Sequence, residues 1–102
     1  MIIFNTTFHV DDDIKDAYLR FMKEIYVPRA QTSGFLHAPC FSRIHHQHEE
    51  GGTSFSLQFK IKNVETLNHW LSADGQELQK ELTAKFGNKA LGFMTLLEEI
   101  EL

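Results

Sequence analysis

Thr53-Ser-Phe-Ser-Leu-Gln-Phe-Lys-Ile-Lys62 decides the fold, because its pattern has a single reading. Phe55, Leu57, Phe59 and Ile61 stand on one parity, and Ser54, Ser56, Gln58 and Lys60 on the other. An apolar–polar period of two belongs to a strand with one buried face. A slip of one residue would carry the aromatic rings into water, so the register is pinned as well. Upstream, Glu49-Glu-Gly-Gly52 reads as a hairpin loop whose glycines supply positive φ. The partner strand must then lie within Phe35 to His48, a stretch too long for one flat strand and interrupted by Pro39. Proline donates nothing to a ladder, so this strand belongs at a sheet edge, bent or bulged near residue 39.

Further out, Ile2, Phe4, Thr6, Phe8 and Val10 alternate with Ile3, Asn5, Thr7 and His9, and the β-branched and aromatic content makes this a strand. Asp11-Asp-Asp13 precedes Ile14, Ala17, Tyr18, Phe21, Met22 and Ile25, whose spacing is that of one helix face. One of the aspartates should cap this helix, and Pro28 should close it. On the far side of the central strand, Asn63 opens a helix carrying Val64, Leu67, Trp70 and Leu71. Asp74-Gly75 interrupts it. Asp74 with Glu77 resembles a capping box for a fresh helix whose stripe is Leu78, Leu82 and Phe86. Gly87-Asn88 is the stop signal, and residues 90–98 are apolar enough for a last strand. The order β-α-β-β-α-β with right-handed crossovers predicts an α+β, ferredoxin-like domain over residues 1–102, with antiparallel sheet order 4-1-3-2. Strand two falls on an edge there, where Pro39 is tolerated.

The 102 residues are 42% hydrophobic and 24% charged, the composition of an ordinary globular domain. A chain of this size buries roughly 65% of the surface its unfolded form exposes, so it needs neither metal nor disulfide to fold. Ten basic against fourteen acidic side chains give a net charge of −4, the wrong sign for nucleic acid or an anionic membrane. Gly52-Thr-Ser-Phe-Ser-Leu-Gln-Phe59 is faintly like an RNA-recognition signature, but its aromatics are claimed by the core. The single cysteine, Cys40, excludes an internal disulfide and fits a reducing cytoplasm. No apolar run approaches the ~20 residues of a membrane span. Met1-Ile-Ile-Phe4 is too short for a signal-peptide core and lacks a basic lead-in. The expectation is a soluble cytoplasmic domain that binds neither nucleic acid nor membrane.

Two helices cover one face of a four-stranded sheet. The Phe4, Phe8, Phe55 and Phe59 side is assigned to them, which leaves Ile3, Asn5, Thr7 and His9 beside Ser54, Ser56 and Gln58 on the other. The last strand is apolar on both parities, with Met94 and Leu96 on one and Leu91, Phe93 and Leu97 on the other. Such a strand at a sheet edge is hard to leave in water, so a second copy packed sheet against sheet is expected.

Met1-Ile-Ile-Phe-Asn-Thr-Thr-Phe-His-Val10, Gln47-His-Glu-Glu-Gly-Gly52 and Leu91-Gly-Phe-Met-Thr-Leu-Leu-Glu-Glu-Ile100 resemble a small uncharacterised bacterial domain-of-unknown-function family, across essentially the whole chain. That family is similar in architecture to the dimeric α/β-barrel superfamily, in which two ferredoxin-like sheets pack face to face. The resemblance implies the fold and a homodimer, and it brings no established activity. Asn5 and Trp70 also resemble a pairing in the cofactor-free or haem-binding monooxygenases of the superfamily, which set an asparagine of strand one and a tryptophan before the helix break around a ligand cleft. Where haem-degrading members have a histidine about three turns after the tryptophan, this chain has Gln79, Lys80 and Glu81. Haem ligation by that route is not implied, and no cofactor is expected.

Histidines supply the other candidate chemistry. His46 and His48 share a face of an extended strand, as two metal ligands would. His9 ends a parallel strand at the same rim, roughly 10 Å away across one intervening strand. Glu49 or Glu50 would add a carboxylate. A rim metal or acid–base cluster is one reading, and solvated histidines beside a polar loop is the other. No recognised zinc spacing is matched, so no metal is assigned. Cys40 reads as a small buried residue rather than a nucleophile. Trp70 serves equally as an anchor of a helix on the sheet.

Two functions remain open: a small-molecule-binding or non-enzymatic homodimer, and a cofactor-independent monooxygenase- or isomerase-like enzyme with Asn5, His9 and Trp70 as ligand-binding candidates. For the histidine rim, folding should survive EDTA. His46→Ala with His48→Ala should leave the thermal midpoint nearly unchanged; stoichiometric zinc by elemental analysis would contradict this.

Overall fold

The computed structural model of the protein describes residues 1–45 and 51–102. Its axis is β1 (Ile2–Asp11), which pairs antiparallel with β3 (Gly52–Ile61) on one side and β4 (Ala90–Glu98) on the other. β2 (His37–Arg43) joins the outer edge of β3, giving the order β2-β3-β1-β4. This is the expected ferredoxin-like order, read from the opposite edge. The molecule measures 36 × 33 × 19 Å, the thickness of one helix layer on one sheet.

Register carries the alternation of β3 across the whole sheet. Phe4 stands opposite Phe59 and Leu96, and Asn5 stands opposite Gln58 and Thr95. Phe4, Phe8, Phe55, Leu57, Phe59 and Ile61 are therefore all buried in one core with the helices. The proline in β2 is absorbed as expected. The ladder shifts register between His37 and Cys40, with Ala38 at a φ of 51°.

The first crossover departs from expectation at Pro28, which does not end the helix. α1 (Lys15–Phe21) passes through a π turn at Met22–Tyr26 directly into α2 (Val27–Thr32). The Val27 N–H donates to the Met22 carbonyl, five residues back. This wider turn lets proline, which has no N–H to offer, enter in the first turn of α2. The extra residue also rotates the buried stripe, so Tyr26 takes the core position and Ile25 is only half-buried.

The aspartates after β1 act differently from helix caps. Asp12 accepts from the Thr53 hydroxyl at 3.4 Å, and Asp13 pairs with Lys89. Both tie the end of β1 to neighbouring segments, and neither Asp11 nor Ile14 caps the following turn through its side chain. In the second crossover Asn63 does cap α3 (Val64–Ser72), its Oδ1 accepting from the Thr66 N–H at 2.8 Å. α4 (Asp74–Phe86) starts one residue after α3 ends. Asp74 is its first helical residue rather than its cap, where its charge still favours the positive end of the helix.

Two aromatic hubs hold the layers together. The Tyr18 ring lies 5.5 Å from Phe55, 5.7 Å from Phe8 and 6.2 Å from Phe86, so it joins α1 to the two central strands and to the end of α4. Trp70 meets Phe4 edge-on at 5.8 Å. Such pairs add about 0.5–1.5 kcal/mol each beyond their area. No described helix is long and apolar enough to cross a membrane.

Burial of the phenols makes a pH test. It pushes Tyr26 from 10.0 up to about 12 and raises Tyr18 as well, and these are the only two tyrosines. A folded-state pKa above the unfolded value means stability intact below about pH 10 and lost as the pH rises through the folded value. Ultraviolet titration should show almost no tyrosinate in the native protein near pH 10, then ionisation coincident with unfolding. Ordinary, non-cooperative titration of both phenols near pH 10 would show that they are not buried.

Candidate functional site

β4 lies at the edge of the sheet, and the helices do not cover it fully. On its helix-facing side Gly92 has no side chain, and Met94 is 57% exposed. The glycine is required there, since a Cβ would stand 2.7 Å from the Phe8 ring. The result is a cleft of about 770 Å³ between α4 and the sheet, a volume suited to a small organic molecule. Phe4 and Thr6 of β1 and Gly92 and Met94 of β4 form its floor. Trp70 and Leu71 at the end of α3, with Gln76, Gln79 and Lys80 of α4, form its wall. Tyr26, brought inward by the π turn, lines it too.

Trp70 is 1% exposed, and its position depends on the helix break. A Cβ on Gly75 would lie 2.7 Å from the indole Cε3, so only glycine lets the ring rest against the start of α4. The indole Nε1–H is buried and has no hydrogen-bond partner among the described residues. A buried donor left in that state costs about 1–3 kcal/mol. Among the described residues that line the cleft, Lys80 carries the one charge and Tyr26 the one phenol. With its pKa near 12, Tyr26 keeps its proton at neutral pH and can donate but not act as a base.

The other sequence candidates lie elsewhere. Asn5 is on the open face of β1, where it accepts from Ser56 Oγ at 2.6 Å and donates to Thr7 Oγ1 at 3.1 Å. His9 is on the same open face, exposed, with Nδ1 3.2 Å from Ser54 Oγ and its ring packed over Gly52. The sheet therefore separates Asn5 and His9 from Trp70 and the cleft. His46 and His48 lie outside the described residues, so the rim cluster has no geometry here. Among the described residues, no three His, Cys, Asp or Glu side chains gather as a metal ion requires. Cys40 is exposed rather than buried, because the bulge leaves this stretch of the edge strand uncovered. Sequence reasoning missed Tyr26, Thr6 and Gln76. It noted Gln79 and Lys80 only as the residues standing where a histidine was sought.

Residues 1–100 match the family described as "Domain of unknown function (DUF4286)". The chain belongs to this family. No curated protein matches it. Among solved structures it is similar to an EthD family protein from Bacillus halodurans, at 16% identity and a TM-score of 0.72, over 98% of this chain and 100% of that one. A putative antibiotic biosynthesis monooxygenase from Deinococcus radiodurans is similar at 17% identity and a TM-score of 0.68, over 100% of this chain and 95% of the other. A dimeric ferredoxin-like protein from an uncultured marine organism is similar at 12% identity and a TM-score of 0.65, over 98% and 96%. At these identities the likeness is one of fold.

The fit of Trp70 on Gly75 is directly testable. Gly75→Ala gains up to about 1 kcal/mol in helix propensity, whereas overpacking a closed site costs about 1–3 kcal/mol. The clash should win, lowering stability by about 1–2 kcal/mol in denaturant titration and shifting the Trp70 emission. A stabilised variant with unchanged emission would mean that the indole does not rest there.

Proposed function

We propose that this DUF4286 chain is a cytoplasmic, homodimeric small-molecule-binding domain that takes one ligand per protomer in the cleft between α4 and the sheet. The observation that carries the reading is the cleft of about 770 Å³ itself, lined by exposed Met94 and half-buried Leu71 together with the amides of Gln76 and Gln79. A small ligand with an acceptor atom would lie on Met94 and Leu71 and accept from the Gln76 or Gln79 amide.

The open face supports the dimer. Leu91, Phe93 and Leu97 of β4 are exposed there, Phe93 at 63%. The polar groups at the centre of the same face already bond one another, through Ser56, Asn5 and Thr7. A second sheet can cover them without stranding donors. A stable interface of this kind buries upwards of ~2,000 Å². The dimeric ferredoxin-like neighbour is consistent with this arrangement. A free, exposed Cys40 supports a reducing compartment.

The alternative, a cofactor-independent monooxygenase- or isomerase-like enzyme, draws on the neighbour that carries the monooxygenase name. It needs a base beside the ligand. The candidates Asn5 and His9 lie across the sheet from the cleft, and Tyr26 holds its proton. Binding is therefore the better-supported reading.

Trp70 is the only tryptophan, so its emission reports the cleft. Titration with planar aromatic compounds bearing a carbonyl or carboxylate should quench it, saturating at one ligand per chain. Gln76→Met, which keeps the side-chain length and removes the amide, should weaken the best ligand about tenfold by calorimetry. Unperturbed emission and an unshifted melting temperature across such a panel would overturn the reading.

A further inference from the structure

Lys80 gives the cleft a sign. Among the described residues it is the only charged side chain in the lining, and it lies one helical turn beyond Gln76 with Gln79 beside it. Residues four apart on a helix share a face, so one ammonium and two amides converge on the cleft from α4. The acidic side chains nearby do not neutralise it. Glu81 is held by Arg29 of α2. Glu77 stands 3.8 Å from Lys80 Nζ, and both side chains are about two-thirds exposed, the geometry of a weak and screened pair. An ammonium has three donors, so such a contact leaves it able to bind a further acceptor. The accessible apolar surface of the lining is that of Leu71 and Met94.

We infer that the cleft is built for a small amphipathic monoanion, its apolar body lying on Met94 and Leu71 with a carboxylate or similar head group held by Lys80, Gln76 and Gln79. This rests on the reading of the cleft as a ligand site and adds the charge of the ligand to it. An uncharged ligand of the same shape would fill the apolar part and leave Lys80 in water.

A matched pair of probes separates the two claims: anilinonaphthalene sulfonate, and phenylnaphthylamine, which has the same rings without the sulfonate. Binding is followed by calorimetry and by energy transfer from Trp70. The sulfonate should bind at least about tenfold more tightly, with a preference that shrinks as salt is added. Lys80→Met should remove the preference, and Lys80→Arg should keep it. Equal affinities of the two probes for the unmodified protein would overturn the inference and leave the cleft reading standing. A preference that survives Lys80→Met puts the anion elsewhere and also overturns it. Binding of neither probe would overturn both.

Discussion

A four-stranded sheet has two faces, and α1 to α4 all lie on one of them. The alternation of β3 fixes which one. Once Phe55, Leu57, Phe59 and Ile61 turn toward the helices, antiparallel pairing sends Phe4 and Phe8 the same way and turns Asn5, Thr7 and His9 outward. Every later feature follows from that one-sided covering. Tyr18 and Trp70 pin the helices to the inner face, and the outer face keeps a hydrogen-bonded polar centre beside an apolar β4.

Space for the cleft comes from what is missing at two positions. Gly92 leaves room for the Phe8 ring, and Gly75 leaves room for the Trp70 indole at the point where α3 gives way to α4. Both glycines trade side-chain packing of their own for the placement of a large ring. The cavity lies beside α4 and reaches the exposed β4 edge at Gly92 and Met94. The described lining combines apolar surface with the amides of Gln76 and Gln79 and the ammonium of Lys80.

Strand content and sheet order were legible because they rest on period-two patterns and on one proline that only an edge could accept. Pro28 misled for a physical reason. Proline normally ends a helix, yet a π turn ending two residues earlier absorbs the missing N–H and moves Tyr26 into the place that spacing gave to Ile25. Asp74 read as a cap because its spacing to Glu77 fits one, although Ala73 occupies that position. Trp70 was legible as a candidate, but its separation from Asn5 by the thickness of the sheet is a matter of faces rather than of motif. Lys80, Gln76 and Gln79 carry no signal in one dimension. They become a site only when α4 is laid across the edge of the sheet.

The proposed dimer would cover the open face with a second copy of the chain, since nothing else in the described fold shields Leu91, Phe93 and Leu97. Sedimentation equilibrium at micromolar concentration measures this most directly. The expected mass is twice the 11.8 kDa of one chain, held on dilution. A stable species of 11.8 kDa with native circular dichroism would contradict it.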